Sequence, residues 1–357
     1  MTSTATDCTL CAIVPERILR NIAANADSAE ARHAAQHTLT VSSAIRAQRA
    51  FAASVAHDIA AHLAAAGGPV PLSAPSVHRE IYDSKTTEIF QDKLVRREGR
   101  PQTGDQDADN CYDIFGYVYE FYEKVFGRKS IDNRNMKLIG NVNYGEKYNN
   151  AFWNDRQMTF GDGDGIMFAH FPSSLDVVAH ELTHGVTETT CRLLYTDQAG
   201  ALNESVSDVF GSIFKQYHLT QTVDQANWLI GEGIFTPKIE ADALRSMSNP
   251  GTAYDNTILG KDDQPSHMDG YVEGGDPHTN SGIPNNAFYR VAMAFGGNSW
   301  EKAGQIWYKT ITSGSVKPTA TFAQFAKVTR DVAKAEYGDS AATLVANAWS
   351  EVGVHVP

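Results

Sequence analysis

Two short motifs, 20 residues apart, constrain the fold of this chain more than any other part of its sequence. The first is His180-Glu-Leu-Thr-His184, in a stretch whose apolar spacing predicts a helix. Positions i and i+4 differ by about 40° around a helix axis and about 6 Å along it, so both imidazoles project from one face. Glu204 and Asp208 repeat this spacing on a second predicted helix. The chain must therefore bring two helices together, since the length between them permits a turn and an antiparallel return.

Together these residues make a candidate metal site, because neutral imidazole is a good zinc ligand. Glu204 would complete a set of two histidines and one glutamate whose fourth position stays open for water, as in catalytic zinc sites. Glu181 can stand beside the metal without binding it and accept a proton from the water. Asn203 and Asp208 are suited to accept the outer ring N–H groups of the histidines and so to fix their tautomers. Either motif alone could be an ordinary helix face, but their joint occurrence favours a catalytic metal site.

The first 66 residues differ in composition from the rest of the chain. They hold 20 alanines, five acidic and five basic residues and no lysine, so the whole formal charge of −12 belongs to the remainder. The Gly- and Pro-rich residues 67–76 cannot continue a helix and predict a linker. A short helix is predicted over 15–22. We expect a separable N-terminal segment that is too small to have much core of its own.

Charge and hydropathy exclude several classes of function. An acidic chain is atypical of proteins that bind nucleic acid irrespective of its sequence. No apolar run approaches the length of a membrane span, and the N-terminus lacks the basic and apolar regions of a signal peptide. We therefore expect no nucleic-acid partner, no membrane insertion and no standard secretion. Four cysteines in 357 residues are too few for a disulfide framework.

The rest of the chain predicts an α+β fold with two lobes. Strand patterns dominate from residue 78 to about 168, and one helix near 108–126 interrupts them. From Ser173 onward the pattern is helical, beginning with the helix of the first motif. Further helices are expected at 201–217, 284–295, 299–312, 320–336 and 339–350.

Two other motifs have competing interpretations. Gly161-Asp-Gly-Asp-Gly165 resembles part of a calcium loop but lacks the remaining ligand positions of an EF-hand, so we expect a tight turn. Cys8 and Cys11 have the spacing of a CxxC pair. We expect two reduced thiols, with a redox pair, half a zinc site or a thiolate that caps the metal of a latent enzyme as alternatives.

The motifs resemble those of the thermolysin family of zinc metalloendopeptidases over nearly all of residues 78–357. The matching segments, in the same order, are 148–154, 160–165, 176–185, 203–208, 244–250 and 278–284. The N-terminal segment, with Ile13-Val-Pro-Glu-Arg-Ile-Leu19, resembles the protealysin-like branch, whose compact propeptides keep the enzyme latent. The resemblance implies a two-lobed zincin with its active site on the helix between the lobes. Its expected parts are a propeptide and linker over 1–72, a β-rich lobe over 73–190 and a helical lobe over 191–357.

The resemblance also implies a role for individual residues. His180, His184 and Glu204 match the zinc ligands, and Glu181 matches the general base. His278, helped by Tyr195, matches the histidine that stabilises the oxyanion. Glu273 stands at the position of the acidic residue that orients this histidine, but Asp276 is also close, so the orienting carboxylate is left open. The residues that match the groups holding the substrate backbone, with one neighbour on the same strand, are Asn150, Ala151, Arg245 and Trp153.

A specificity pocket is implied by four apolar positions, each of which could equally be part of the core. They are Phe168, Phe171, Val177 and Leu244. An apolar pocket gains roughly 2 kcal/mol from a buried Leu or Phe side chain. We therefore expect cleavage on the amino side of bulky hydrophobic residues.

The sequence departs from the family at the paired calcium site. Asp176 and Glu232 remain, but three other acidic positions are occupied by Lys215, Asn227 and Leu229. We expect the paired site to be lost, with the Lys215 ammonium supplying the positive charge. Thr236 and Asp242 leave a separate, single calcium site open.

These expectations combine into one function, a zinc-dependent endopeptidase with one catalytic zinc ion. It would be a monomer that acts on proteins and peptides and is made as a latent proenzyme, with its own propeptide as intramolecular inhibitor. Activation by autoprocessing is expected, with candidate cuts before Phe51, Ile59, Leu63 or Leu72, and the precursor would be cytoplasmic, with leaderless export to the medium. The alternative is a catalytically silent zinc-binding interaction module.

Overall fold

The computed structural model describes the backbone of residues 11–63 and 76–356, and the side chains of 11–48 and 76–356. The helices of these residues are α1 Glu16–Asn25, α2 Ala29–Leu63, α3 Gln106–Phe126, α4 Leu175–Thr189, α5 Asp197–Leu219, α6 Pro277–Asn280, α7 Gly282–Phe295, α8 Lys302–Thr312, α9 Phe322–Tyr337 and α10 Asp339–Glu351. The strands are β1 Cys11–Ala12, β2 Arg79–Asp83, β3 Lys93–Arg97, β4 Leu138–Val142, β5 Ala151–Trp153, β6 Met158–Phe160, β7 Leu229–Ile230, β8 Arg245–Ser246, β9 Asp255–Asn256 and β10 Gly260–Lys261. The predicted α+β class is confirmed.

A mixed sheet in the order β1-β5-β6-β4-β2-β3 forms the first lobe. β5 and β6 form an antiparallel hairpin, and β4 runs parallel to both β6 and β2. Asn154 closes the hairpin, because its side-chain oxygen accepts the backbone N–H of Gln157 at 3.2 Å. β1 lies outside β5, so the N-terminal segment adds a strand to an edge that the catalytic part would otherwise present to solvent.

Helices α4 and α5 pack against each other as an antiparallel pair beneath this sheet. Their close approach depends on Gly211, since a Cβ there would lie 2.7 Å from the carbonyl oxygen of Asp176. Gly185 has the same role toward the sheet, because a Cβ there would lie 2.7 Å from Ile131 and 3.0 Å from Trp153. These two glycines let α4 sit between its neighbours, with its polar motif residues turned toward α5.

The helices from α7 onward form the second lobe, as predicted from the helical pattern. Trp307 of α8 and Trp349 of α10 stack with ring centroids 6.2 Å apart at its centre. The indole N–H of Trp349 donates to the hydroxyl of Thr329 at 3.0 Å, so this buried polar group is satisfied. The capping box at the start of α9, formed by Thr321 and Gln324, sets where that helix begins.

The N-terminal segment packs onto the catalytic part instead of forming a core of its own. Val41 and Ile45 of α2 share a small cluster with Tyr144, Tyr148 and Phe152 of the first lobe. At the edge of this cluster the hydroxyl of Ser42 lies 2.7 Å from that of Tyr148. The apolar side chains of α2 therefore pack against the first lobe, which explains how the segment folds without an independent core.

Arg17 and Asn21 of α1 attach the segment to the second lobe. The guanidinium of Arg17 pairs with Asp263 at 2.7 Å and donates to the hydroxyl of Tyr254 at 2.6 Å. The amide of Asn21 donates to the carbonyl of Leu259 at 2.7 Å. The segment therefore contacts both lobes.

The predicted turn over residues 161–165 is present. Its Asp164 accepts the backbone N–H groups of Ile166, Met167 and Phe168 at 2.7 to 3.1 Å. This carboxylate therefore closes the turn with backbone donors.

Some expectations lie outside the described residues. They are the linker over 67–75, Cys8 and the candidate cut before Leu72, together with the side chains at the other three candidate cuts. Among the helices that are described, none is long and apolar enough to cross a membrane.

Replacement of Ile45 by alanine tests the shared cluster. We expect the free energy of unfolding of the full chain to fall by about 2–4 kcal/mol, because Ile45 is buried between the segment and the sheet. Urea unfolding in a Glu181→Ala background, which prevents autoprocessing, would measure it. The exposed Gln48→Ala on the same helix should change it by less than about 0.5 kcal/mol. Equal effects of the two variants would contradict the docking of α2.

Candidate active site

His180 and His184 of α4 meet Glu204 of α5 in a buried site. The two Nε2 atoms lie 3.0 Å apart. The Glu204 carboxylate lies 3.4 Å from Nε2 of His180 and 3.6 Å from Nε2 of His184. The three side chains are at most 3% exposed, so water does not screen the charges at this point. The structure thus brings together the three residues that the sequence predicts as metal ligands.

The outer nitrogens of both histidines are occupied by acceptors. Nδ1 of His180 donates to Asp208 at 2.8 Å, and Nδ1 of His184 donates to the side-chain oxygen of Asn203 at 2.9 Å. The Asn203 amide is held in this orientation because its nitrogen donates to the Leu193 carbonyl at 2.8 Å. Each Nε2 atom is therefore left to face the other Nε2 atom and Glu204, as in metal-binding histidines.

This arrangement requires positive charge. Burial alone would lower the pKa of His180, but hydrogen bonds to Asp208 and Glu204 outweigh it and raise that pKa to about 9. Burial, with the charge of His180, lowers the pKa of His184 to about 4. The Glu204 carboxylate thus favours positive charge between the two imidazoles. A divalent cation could supply that charge and bind all three residues, and the donor set of two nitrogens and one carboxylate fits zinc.

Asp208 connects the candidate metal ligands with the substrate-binding side. Its two oxygens accept four hydrogen bonds, all at 2.8 Å. The donors are Nδ1 of His180, Nε and Nη2 of Arg245, and the side-chain amide of Asn285. Burial would raise the pKa of Asp208, but the Arg245 guanidinium and His180 hold it well below its usual range. A single carboxylate thus orients both a histidine and an arginine.

Glu181 lies fully buried one position after His180. Neither of its carboxylate oxygens has a hydrogen-bond partner. Burial raises its pKa well above the ordinary value, although the positive charge of His180 opposes the rise. An unpartnered carboxyl group beside the metal ligands is suited to exchange a proton with a reacting molecule.

His278 and Tyr195 lie on the other side of Glu204. The Tyr195 hydroxyl donates to Glu204 and lies 3.4 Å from Nε2 of His278. Asp276 accepts Nδ1–H of His278 at 2.8 Å, whereas Glu273 is exposed and makes no contact with this ring. The structure therefore places Asp276, and not Glu273, in position to orient His278.

The chain's own residues 11–14 run through this site. Cys11 and Ala12 pair antiparallel with Trp153 and Phe152 of the edge strand. The carbonyl oxygen of Ala12 lies 2.9 Å from Nε2 of His278. These residues extend the sheet across the face that carries the candidate catalytic groups.

The next two residues are held by their backbone. The N–H of Ile13 donates to the Ala151 carbonyl at 3.1 Å, and its carbonyl accepts from Nη1 of Arg245 at 3.0 Å. The Asn150 side chain accepts the N–H of Val14 at 3.0 Å and donates to its carbonyl at 3.1 Å. Asn150, Ala151 and Arg245 therefore contact backbone groups, as the sequence predicts for substrate.

The four predicted pocket residues are fully buried. Phe168 and Phe171 stack with centroids 5.7 Å apart, and both share the main apolar cluster with Val177, Leu244 and Ile13. On the opposite side of the site a cavity of about 580 Å³ is lined by Cys11, Trp153, His184 and Tyr195, among others. The described part of the segment thus leaves one half of the cleft open.

Asp107, Asp162 and His170 form a second cluster that could hold a metal ion. Here Nδ1 of His170 is already bonded to Asp107 at 2.6 Å, and the imidazole is 62% exposed. The buried cluster of α4 and α5 is the stronger candidate, because acceptors hold the Nδ1 atoms of both histidines and both Nε2 atoms face the Glu204 carboxylate.

The altered calcium region is held by Lys215. Its ammonium lies 3.2 Å from Asp176, 3.1 Å from Glu232 and 3.5 Å from the Leu229 carbonyl. The Asn227 amide donates to Glu232 at 2.7 Å. At the other position considered for calcium, the hydroxyl of Thr236 donates to a backbone carbonyl and Asp242 is exposed.

Some contacts were not predicted from the sequence. Asn285 follows directly after the matched segment 278–284, so only a longer family match would have indicated it. The hydroxyl of Ser207, 3.1 Å from Nδ1 of His184, is one of several small polar residues on α5 and had no distinguishing signal. The position of residues 11–14 was signalled only by the resemblance of the N-terminal segment.

Comparison with known proteins agrees with this geometry. Residues 77–188 match the family model of the thermolysin metallopeptidase catalytic domain, and residues 191–354 match that of its alpha-helical domain. The chain belongs to the thermolysin family. It is 46% identical to an extracellular metalloprotease of Pectobacterium carotovorum subsp. carotovorum over 97% of both chains. It is also 46% identical to protease PrtS of Photorhabdus sp. (strain Az29), over 79% of this chain and 77% of that protein.

A solved structure extends the comparison to the N-terminal segment. The precursor of protealysin, a metalloproteinase from Serratia proteamaculans, has a TM-score of 0.85 and 44% sequence identity, covering 96% of this chain and 99% of that one. The resemblance to the protealysin-like branch is thereby confirmed. The chain is a thermolysin-family zinc metalloendopeptidase, and the precursor structure supports a proenzyme over the catalytically silent alternative.

Asp208→Asn tests the connection between the two sides of the site. We expect zinc affinity to fall about 10- to 100-fold, because the amide cannot hold His180 as the carboxylate does. Competition with a chromogenic chelator in a Glu181→Ala background would measure it. Asp224→Asn, an exposed change of the same kind, is the matched control. Unchanged zinc affinity in a folded Asp208→Asn protein would show that Asp208 does not position the ligand.

Proposed function

We propose that the chain is the latent precursor of an endopeptidase that cleaves proteins and peptides with the residues assembled between α4, α5 and the edge strand β5. Its parts would be a propeptide and linker over 1–72, a β-rich lobe over 73–190 and a helical lobe over 191–357. The observation that carries this proposal is the backbone of residues 12–14 bound to the groups expected to hold substrate. We propose that the enzyme acts outside the cell, the location named for the Pectobacterium relative.

His180, His184 and Glu204 would hold one zinc ion, which when bound supplies a Lewis acid that polarises a carbonyl group and lowers the pKa of water. Glu181 would accept a proton from the attacking water and deliver it to the leaving nitrogen, since its carboxylate has no other partner. Nε2–H of His278 and the hydroxyl of Tyr195 would donate to the carbonyl oxygen as it gains negative charge.

Substrate would bind as an additional antiparallel strand on β5. Arg245 and Asn150 would hold the two residues that follow the scissile bond, as they hold the backbone of Ile13 and Val14. The residue that follows the bond would enter the apolar cluster where Ile13 is now buried. Cleavage on the amino side of bulky hydrophobic residues follows from this placement.

The N-terminal segment would act as the intramolecular inhibitor. Residues 11–14 occupy the backbone-binding groups, so a second peptide cannot use Ala151, Asn150 and Arg245 at the same time. The contacts of Arg17, Asn21 and α2 with the two lobes hold these residues in place. Removal of the segment would expose the site.

Lys215 would replace the paired calcium ions of the altered region. Its pKa is raised, because the charges of Asp176 and Glu232 outweigh the burial that would lower it. The ammonium therefore stays charged between two carboxylates whose mutual repulsion would otherwise destabilise the fold.

Glu181→Ala tests the proposed general base. We expect casein hydrolysis by this variant to fall by at least about 100-fold, because the carboxyl group that would move the proton is lost. Metal analysis should still find about one zinc ion per chain. The same variant should accumulate as full-length precursor if processing is self-catalysed.

The control is Glu240→Ala, an exposed glutamate far from the proposed chemistry, which should keep full activity. Retained hydrolysis by the Glu181→Ala protein would refute the assignment. Loss of zinc together with activity would instead show that Glu181 is needed to form the metal site.

Lys215→Met tests the replacement of calcium. We expect a loss of about 2 kcal/mol in the free energy of unfolding, because two carboxylates lose their charged donor. Lys238→Met, at an exposed position, should change it by less than about 0.5 kcal/mol. Added calcium should leave the unfolding of the unmodified chain unchanged. Isothermal titration that found two tight calcium sites lost on mutation of Asp176 would contradict the idea.

A further inference from the structure

We infer that the peptide bond between Ala12 and Ile13 is itself a substrate of this enzyme, and that its hydrolysis within the same molecule is the first cut of activation. The inference rests on the proposed function. It adds a cleavage site inside the inhibitory segment and an order of events.

The bond lies across the proposed catalytic groups with the polarity of a substrate. The carbonyl oxygen of Ala12 is 2.9 Å from Nε2 of His278, the atom expected to stabilise the oxyanion. The N–H of Ile13 donates to the Ala151 carbonyl at 3.1 Å. The reacting carbonyl therefore lies beside the group that would act on it, and the leaving nitrogen is fixed against β5.

The residues after the bond meet the expected specificity. Ile13 is bulky, apolar and fully buried, and Arg245 binds its carbonyl at 3.0 Å. Asn150 binds both backbone groups of Val14. The Ala12–Ile13 bond thus precedes a hydrophobic residue that is held as the preferred substrate residue would be.

Because residues 12–14 occupy the substrate-binding groups, they also decide which bond can be cut first. A linker bond would need the backbone acceptors of β5, Arg245 and Asn150, which residues 12–14 already use. A molecule with its segment in place therefore cannot present its own linker to its own site. Cuts in the linker must be made by a second molecule whose site is already free.

Among the described residues, which begin at Cys11, the two sides of the Ala12–Ile13 bond are anchored unequally. On the carboxyl side, Pro15 leads into α1, whose Arg17 and Asn21 bind the second lobe. On the amino side, Cys11 and Ala12 are held by their pairing with β5, and Cys11 lines the cavity of about 580 Å³. We therefore expect the amino-terminal piece to leave first and the carboxyl-terminal piece to follow.

Hydrolysis breaks the C–N bond between Ala12 and Ile13. The water oxygen adds to the carbonyl carbon of Ala12, which becomes a carboxylate, and the nitrogen of Ile13 becomes a free amine. Until Ala12 departs, the retained amine can re-form the bond, so we expect the cut to be slow. Its product would be a chain that begins at Ile13, and once residues 13–14 leave Arg245 and Asn150 its site can accept the linker of another molecule.

Intact-mass measurement and N-terminal sequencing of the zinc-loaded full chain test the inference. A chain that begins at Ile13 should appear before any linker product. Its rate constant should stay the same over a tenfold range of protein concentration, whereas the linker cuts should speed up with concentration. An Ile13 terminus that forms faster at higher concentration, or only after linker products, would overturn the inference.

Three variants complete the test. Ile13→Gly should slow the cut about tenfold or more, because the pocket loses a buried side chain, while Ile13→Leu should preserve it. Glu181→Ala should not form the Ile13 terminus, and its appearance there at the normal rate would assign the cut to another protease and overturn the inference.

Casein hydrolysis by the processed enzyme reports separately on the proposed function. Active enzyme without any Ile13 terminus would refute the inference alone, whereas absence of hydrolysis would refute the proposed function.

Discussion

The buried carboxylate of Asp208 is the interaction on which the rest of the site depends. It accepts a hydrogen bond from Nδ1 of His180, forms a bidentate salt bridge with Arg245 and accepts the Asn285 amide. A buried charge of this kind is stable only when all of its partners are present. One carboxylate on α5 therefore fixes the orientation of both His180, the candidate metal ligand on α4, and Arg245, which binds the backbone of Ile13 in the N-terminal segment. Because α4 and α5 approach closely at Gly211, the carboxylate reaches both.

Much of this site could be predicted because its chemistry is local in the sequence. His180, His184, Glu204 and Asp208 lie on two helices at a spacing of four, and the helix period alone places each pair on one face. The predicted boundaries of the later helices were close to the observed ones for the same reason, since their apolar stripes pack into the core of the second lobe. The family resemblance then supplied partners that no periodic pattern connects, such as His278 and Tyr195.

The rest depended on backbone paths that the sequence does not reveal. The choice between Glu273 and Asp276 is decided by a loop that turns the nearer carboxylate onto His278 and leaves the farther one in solvent. Helix α2 was not predicted, because alanines spread around its surface and leave no clear apolar stripe. The segment was expected to act as inhibitor, but which of its residues occupy the cleft was not predicted, since residues 11–14 bind mainly through backbone groups, which are the same in every sequence.

Lys215 has a consequence for how the folded state responds to its surroundings. An ion that binds only the folded protein stabilises it in proportion to the logarithm of its free concentration, so stability then varies with the medium. The Lys215 ammonium is tethered to the chain beside Asp176 and Glu232, and its effective concentration is set by the fold. With Lys215 in place of the ion, as proposed, this part of the protein would complete its folding wherever the chain is made, without waiting for a compartment that supplies the ion.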